Sequence, residues 1–175
     1  LAIVDMNPRA QERARTLFPS SVVVPDLPSL DQIGWNWAES MVTVSTWGTD
    51  HLRTFNVLYG YGVKYVLCEK PLANSIKSAN DIVGTAEANG IALGVHHHFR
   101  YSGLVSGVKT LSKQHDLGEP VSALVYGGAN GIVTTGIHFL DVVCELFNDD
   151  PDSVISNVRG DLINPRSPDL EFYCG

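Results

Sequence analysis

The chain has 175 residues, 44% of them hydrophobic and 18% charged, with a formal net charge of -7. That is enough apolar material for a core and excludes a disordered profile, and an acidic balance without a basic block argues against a general nucleic-acid binder. No apolar run is long enough to span a bilayer, so no membrane partner is expected. The front of the chain shows no basic, apolar, small-residue secretion pattern. Three widely spaced cysteines, Cys68, Cys144 and Cys174, lack metal-finger spacing and predict a reduced cytoplasmic protein.

In chain order, Leu1 to Asp5 reads as a buried strand ending in an acid. Pro8 suits the first turn of a helix in which Ala10, Ala14, Leu17 and Phe18 recur at helical spacing. Ser21 to Val24 is a second short strand, closed by Pro25, and Leu27 to Trp37 is a connection holding one short helix. Met41 to Ser45 is a third strand. Thr49-Asp50 starts a helix that runs from His51 to Tyr61 and stops at Gly62. Val63 to Cys68 is the fourth strand, Ser75 to Asn89 a helix stopped by Gly90, and Ile91 to Val95 the fifth strand. Strands alternating with helices at this spacing mean βαβ units and a parallel sheet.

The character changes near His98. A helix is expected from Leu104 to Gln114, a turn at Gly118-Glu119-Pro120, and an antiparallel-type strand from Val121 to Tyr126. A loop at Gly127 to Gly131 then leads to a helix over Gly136–Phe147, with Ile137, Leu140, Cys144 and Phe147 along one stripe. Strands are expected at Val154–Leu162 and Leu170–Cys174. The fold class is therefore α/β: a Rossmann-type parallel sheet over residues 1–97, then part of a second α/β domain with an open, largely antiparallel sheet over residues 98–175. The chain opens on a strand and closes inside another, so it reads as a fragment.

Three places carry chemistry. Cys68-Glu69-Lys70-Pro71 ends a strand with an acid, a base and a proline. Pro71 keeps Lys70 extended, the Lys–Pro bond is free to be cis, and the turn aims the Lys70 amine out of the strand end, where open α/β sheets bind ligands. The bland reading is a solvated lysine in a strand-to-helix turn. Asp5 ends a strand, where an acid accepts both ribose hydroxyls of an adenine dinucleotide and favours NAD over NADP, or else caps a helix. The glycine-rich phosphate loop that belongs with it would precede Leu1. His138 lies near a helix start, whose dipole favours the neutral, base-competent ring, and Asp141 one turn on is placed to reach the same imidazole. The alternative is a structural histidine with a local hydrogen bond. His96 and His98 share a face if both lie on a strand, but no third ligand is spaced to join them, so no metal is expected. Some of the rings of His96, His97 and His98 line a pocket at the strand end instead, with Arg100 nearby for an anion or for a structural pairing.

In this order the residues resemble the Gfo/Idh/MocA oxidoreductases. Leu1 to Phe18 is similar to the family's second strand and helix, and Thr49-Asp50-His51 to its turn after the fourth strand. Glu69-Lys70-Pro71 matches its Glu-Lys-Pro signature, His98-Phe99-Arg100-Tyr101 a segment that often begins with Asn, and Gly136-Ile137-His138-Phe139-Leu140-Asp141 its Gly-x-His-x-x-Asp segment. The resemblance implies hydride transfer between a sugar-like alcohol carbon and nicotinamide, with NAD as cofactor and NADP as the alternative. It implies that Lys70 and His138 are catalytic. Asp5, Ser45, His51, Glu69, Lys70 and His98 would contact the cofactor, and Lys70, Arg100, Thr134, His138 and Asp141 the substrate. It also implies a homo-oligomer assembled through the C-terminal sheet. Many members carry an acid four residues before the histidine, where this chain has Thr134. That departure favours a non-catalytic dinucleotide- or sugar-binding regulator as the rival, and an NAD-dependent glycoside-cleaving member as a second one.

Overall fold

The structure, a computed structural model, describes residues 1–126 and 131–155. The described residues fall into two compact units divided between Ser40 and Met41. In the first, β1 (Ala2–Val4) pairs in parallel with β2 (Val22–Val24). Between them runs α1 (Pro8–Leu17), whose start is set by Pro8 and by the Asn7 side chain, which accepts the Arg9 backbone N–H. A short α2 (Leu27–Gln32) follows, capped by Asp26, whose carboxylate takes the Ser29 N–H at 2.7 Å. Ala2 and Ile3 are only half-buried and Val4 is 36% exposed. The expected buried strand is thus a partly open one, because an apolar run names a strand but not what covers its faces.

In the second unit, β3 (Met41–Val44), β4 (Tyr65–Glu69) and β5 (Ala92–His96) form a parallel sheet with β4 in the centre. The register aligns Val44 with Cys68 and Cys68 with Val95, so the strands finish together along one edge. Two helices make the crossovers: α3 (His51–Gly60) and α4 (Ile76–Ala88). Ser75 caps α4 by accepting the Ser78 N–H, and Gly62 and Gly90 follow α3 and α4 at φ +82 and +62, a backbone state open mainly to glycine. The core between sheet and helices is Val44, Phe55, Leu58, Val66, Cys68 and Ile82, with Leu58 sealed completely. Burial, then the neighbouring Glu69, pushes the Cys68 thiol up to about 11, so it packs as an inert hydrophobe.

After β5 the chain makes a short 3-10 turn at His98–Tyr101 and enters α5 (Leu104–Gln114). A single π-helical turn, Ile132–Gly136, feeds α6 (Ile137–Phe147). The expected apolar stripe of α6 is displaced: Leu140 is 59% exposed, and the buried residue of this helix is His138. Val121–Tyr126 is not a strand. Val121, Leu124 and Tyr126 are each more than nine-tenths exposed and pair with no strand among the described residues. Alternation of apolar and polar residues suits a half-buried strand but cannot provide the partner that makes one. Val154 and Ile155 are likewise exposed and outside any strand. The largely antiparallel sheet expected after His98 thus has no strand among the described residues. The rest of Val154–Leu162, all of Leu170–Cys174 and most of the Gly127–Gly131 loop lie outside those residues. No described helix is long and apolar enough to cross a membrane.

Candidate functional site

The site grows from the common C-terminal edge of β3, β4 and β5, where parallel sheets place their ligands. Exposed Ser45 leaves β3 there, Glu69 and Lys70 leave β4, and His96 leaves β5. The Lys70–Pro71 peptide is cis. The Lys70 ammonium donates to the backbone carbonyl oxygen of Thr134, inside the π-helical turn that precedes α6. Lys70 and His138, 68 positions apart in the sequence, are therefore joined through one turn of backbone. The Thr134 side chain plays no part in that bond: its hydroxyl donates to the Gly131 carbonyl at 3.2 Å.

His138 is 4% exposed, and its Nδ1 has no hydrogen-bond partner among the described residues. Burial, then the positive Lys70, then the His98 and His97 rings, lower its pKa from the usual 6.5 to about 4, against a weaker upward pull from Asp141. Burial, rather than the dipole of α6, leads the causes that favour the neutral ring. Aromatic rings close around it. His98 stands 4.3 Å away between centroids, Phe99 5.4 Å and His97 5.5 Å.

Asp141 does not hold this imidazole. Its carboxylate is gripped by Arg100, with Nε at 2.8 and 2.9 Å from its two oxygens and Nη2 at 2.8 Å from Oδ1. Arg100 also reaches Glu145 at 3.0 Å. Of the two roles open to Arg100, the structural pairing is the one formed, because α6 brings two carboxylates to it, one turn apart. The Asp141 hydrogen bond, with burial working against it, raises the Arg100 pKa further.

Glu69 accepts from, or shares a proton with, His96 Nδ1 at 2.7 Å. Burial pushes its carboxyl up, but the His96 hydrogen bond and the charges of His96 and Lys70 together hold it below the usual value. The chain leaves β5 after His96, so strand alternation does not carry His98 onto the same face. Even so, the two rings sit 6.3 Å apart across the turn. Among the described residues no group of three or more His, Cys, Asp or Glu is placed to hold a metal ion.

His51 departs most from expectation. Instead of facing a cofactor it is 1% exposed, with Nδ1 at 3.1 and 3.2 Å from the Pro71 and Leu72 carbonyl oxygens and Nε2 at 2.9 Å from that of Thr46. Each ring nitrogen faces backbone carbonyl oxygen, and a neutral ring donates from one nitrogen at a time. In its own unit, Asp5 ends β1 half-exposed and accepts the Asn7 N–H through Oδ1 at 2.8 Å, leaving Oδ2 open.

Gly48 is the residue that sequence reasoning overlooked, while His97 was seen only as one of three neighbouring rings. His97 Nδ1 lies 3.9 Å from Asp141 Oδ2 while its ring meets His138 edge-on. Burial, ahead of the opposing pull of Asp141, lowers its pKa. Gly48 is buried, and a side chain there would come within 3.1 Å of the Pro71 ring.

Comparison with known proteins resolves the lineage. The profile of an oxidoreductase family with an NAD-binding Rossmann fold, Gfo/Idh/MocA, matches residues 1–97. The chain belongs to the Gfo/Idh/MocA family. NAD is that family's cofactor. Among curated Gfo/Idh/MocA-type relatives, a 1,5-anhydro-D-fructose reductase of Ensifer adhaerens is 24% identical, the match covering 88% of this chain and 51% of the relative. A glucose-6-phosphate 3-dehydrogenase of Bacillus subtilis is 31% identical over 50% of this chain and 31% of its own. The chain thus spans about half, or less, of the length of the curated relatives it matches. Among solved structures, an Agrobacterium radiobacter oxidoreductase in complex with NAD+, L-tartaric acid and magnesium superposes with a TM-score of 0.72 at 24% identity, covering 94% of this chain and 51% of that one. A Lactobacillus casei scyllo-inositol dehydrogenase with bound NAD(H) and scyllo-inositol gives 0.67 at 15% identity, with 84% and 48% covered. At these identities the likeness is one of fold.

The residues present fit a nicotinamide dinucleotide. The sheet edge of the second unit offers a hydroxyl at Ser45, an ammonium at Lys70 and exposed imidazole at His98.

Proposed function

We propose that the chain carries the catalytic edge of an NAD-dependent oxidoreductase, with NADP as the alternative, moving hydride between a sugar or sugar-derivative hydroxyl and nicotinamide. The observation behind this reading is the join between Lys70 and the turn that launches His138, which brings an ammonium and a neutral imidazole to one sheet edge. The bound nicotinamide supplies the hydride acceptor. Lys70 Nζ has donors beyond the one given to Thr134, and these orient and polarise the substrate oxygen. His138, as a neutral ring, takes the hydroxyl proton. Ser45, Glu69 and His98 line the cofactor side of this edge, and within its own unit Asp5 is the acid suited to ribose hydroxyls. Arg100 and Asp141 act on the substrate only indirectly, by fixing the start of α6.

A second reading rests on one observation. Among the described residues no carboxylate hydrogen-bonds His138, and a ring whose pKa is about 4 is a weak base. A non-catalytic dinucleotide- or sugar-binding regulator would tolerate that. The two readings separate in one assay: NAD reduction across a panel of polyols and aldoses, with Lys70→Ala and His138→Ala beside the unaltered protein. Turnover lost by at least about a hundredfold in both variants, with NAD binding retained, supports catalysis. Turnover untouched by either substitution removes it.

A further inference from the structure

We propose that His51 is a positioning residue for Lys70: its buried ring bolts the turn that carries the lysine to the start of α3. This inference rests on the reading that Lys70 orients the reacting hydroxyl. Residues 70–75 lie in neither strand nor helix, so their backbone polar groups need partners from elsewhere. The Pro71 and Leu72 carbonyls face His51 Nδ1, at 3.1 and 3.2 Å, which donates to them in the Nδ1-protonated tautomer. On the other side of the same ring, Nε2 faces the Thr46 carbonyl at 2.9 Å. All three facing atoms are acceptors, so the ring acts here as a donor. The tautomer protonated on Nδ1 serves the Lys70 turn, and the one protonated on Nε2 serves the loop after β3.

A second contact reinforces the first. A Cβ on Gly48 would lie 3.1 Å from Pro71 Cγ and 3.3 Å from the Pro71 oxygen, so the loop after β3 touches the Lys70 turn closely. The loops leaving two neighbouring parallel strands are thereby held as one body. The Lys70 side chain itself is anchored at the Thr134 carbonyl. A long lysine stem carries much rotamer freedom, and a turn held on one side by His51 and on the other by Thr134 removes most of it before substrate arrives.

The test exploits the two nitrogens. Asparagine at position 51 puts an amide nitrogen close to where Nδ1 lies, and glutamine puts one close to Nε2. The unaltered protein, His51→Asn, His51→Gln and His51→Leu are each treated with acetic anhydride, and acetylation of Lys70 is followed by mass spectrometry against Lys77 in the same sample. Lys77 is an exposed residue of α4, paired with Asp81, and serves as the internal reference. The expected result is a Lys70 rate close to that of the unaltered protein in His51→Asn and a several-fold increase in His51→Gln. His51→Leu should match His51→Gln if it folds; if it does not, the asparagine–glutamine pair decides alone. Equal Lys70 rates in the unaltered, Asn and Gln proteins overturn the proposal, as does an Asn variant as reactive as the Gln one. The acetylation rate needs no turnover. A Lys70→Ala protein that still turns over would therefore defeat the catalytic reading without deciding this one.

Discussion

The Lys70 ammonium is bound to the carbonyl oxygen of Thr134, one turn ahead of His138. Because the acceptor is backbone, the side chain at 134 is free to change without breaking the link between strand end and helix start. The same geometry explains how an acid can be absent at this position while the lysine keeps its place.

Installing that acid should retune the histidine. In Thr134→Asp a carboxylate replaces a hydroxyl that now only donates to Gly131. A negative charge one turn from His138 should raise its pKa from about 4 towards the usual 6.5, by about a unit or more. Chemical-shift titration of the His138 ring protons measures this directly. An unmoved titration would mean that the new carboxylate turns away from the ring.

Acid stability should carry the signature of the same burial. The folded His138 ring binds a proton less readily than the unfolded one, so acid favours unfolding. Its stabilising contribution is complete above pH 6.5 and is lost as pH falls towards about 4. The full effect is up to about 3 kcal/mol, each pKa unit being worth about 1.4. Glu69 and His97 are also held below their usual values and push the same way. The difference between the unaltered protein and His138→Gln, from urea unfolding at pH 7 and pH 4.5, isolates the histidine. The variant should lose less stability on acidification.

Arg100 and Asp141 should matter first for stability. The Asp141 side chain is 11% exposed and meets a fork of arginine nitrogens, while Arg100 itself is 46% exposed. Asp141→Asn should cost about 1–2 kcal/mol, above the surface-pair median because the carboxylate is nearly sealed. Arg100→Lys should recover only part of the pairing, since a single ammonium cannot reproduce the fork. A double-mutant cycle on unfolding free energies reads the coupling. A cycle with no coupling, together with a raised KM in Asp141→Asn, would return Asp141 to direct substrate contact.

Much of the βα alternation was legible residue by residue. Pro8, Ser75, Gly62 and Gly90 mark helix ends through constraints within a turn of themselves, and valine-rich runs mark β2 to β4. Those signals are local, so they survive without knowledge of the fold. Val121–Tyr126 was misread for the complementary reason: its alternation is a real pattern, but a strand needs a second strand, and none of the described ones pairs with it.

The sequence by itself determined that a lysine leaves a central parallel strand beside an acid and a proline, and that a histidine opens a later helix. It also determined the family, because the order of these short segments is a property of the chain. Only the tertiary structure decided what each polar atom meets. It turned His51 from a cofactor contact into a buried clamp, took Asp141 away from His138 and gave it to Arg100, and held His138 neutral chiefly by burial. Each of those outcomes depends on residues 20 to 68 positions apart in the chain meeting in space. Periodicity specifies which face a side chain occupies, whereas the hydrogen-bond partner across that face is chosen by packing.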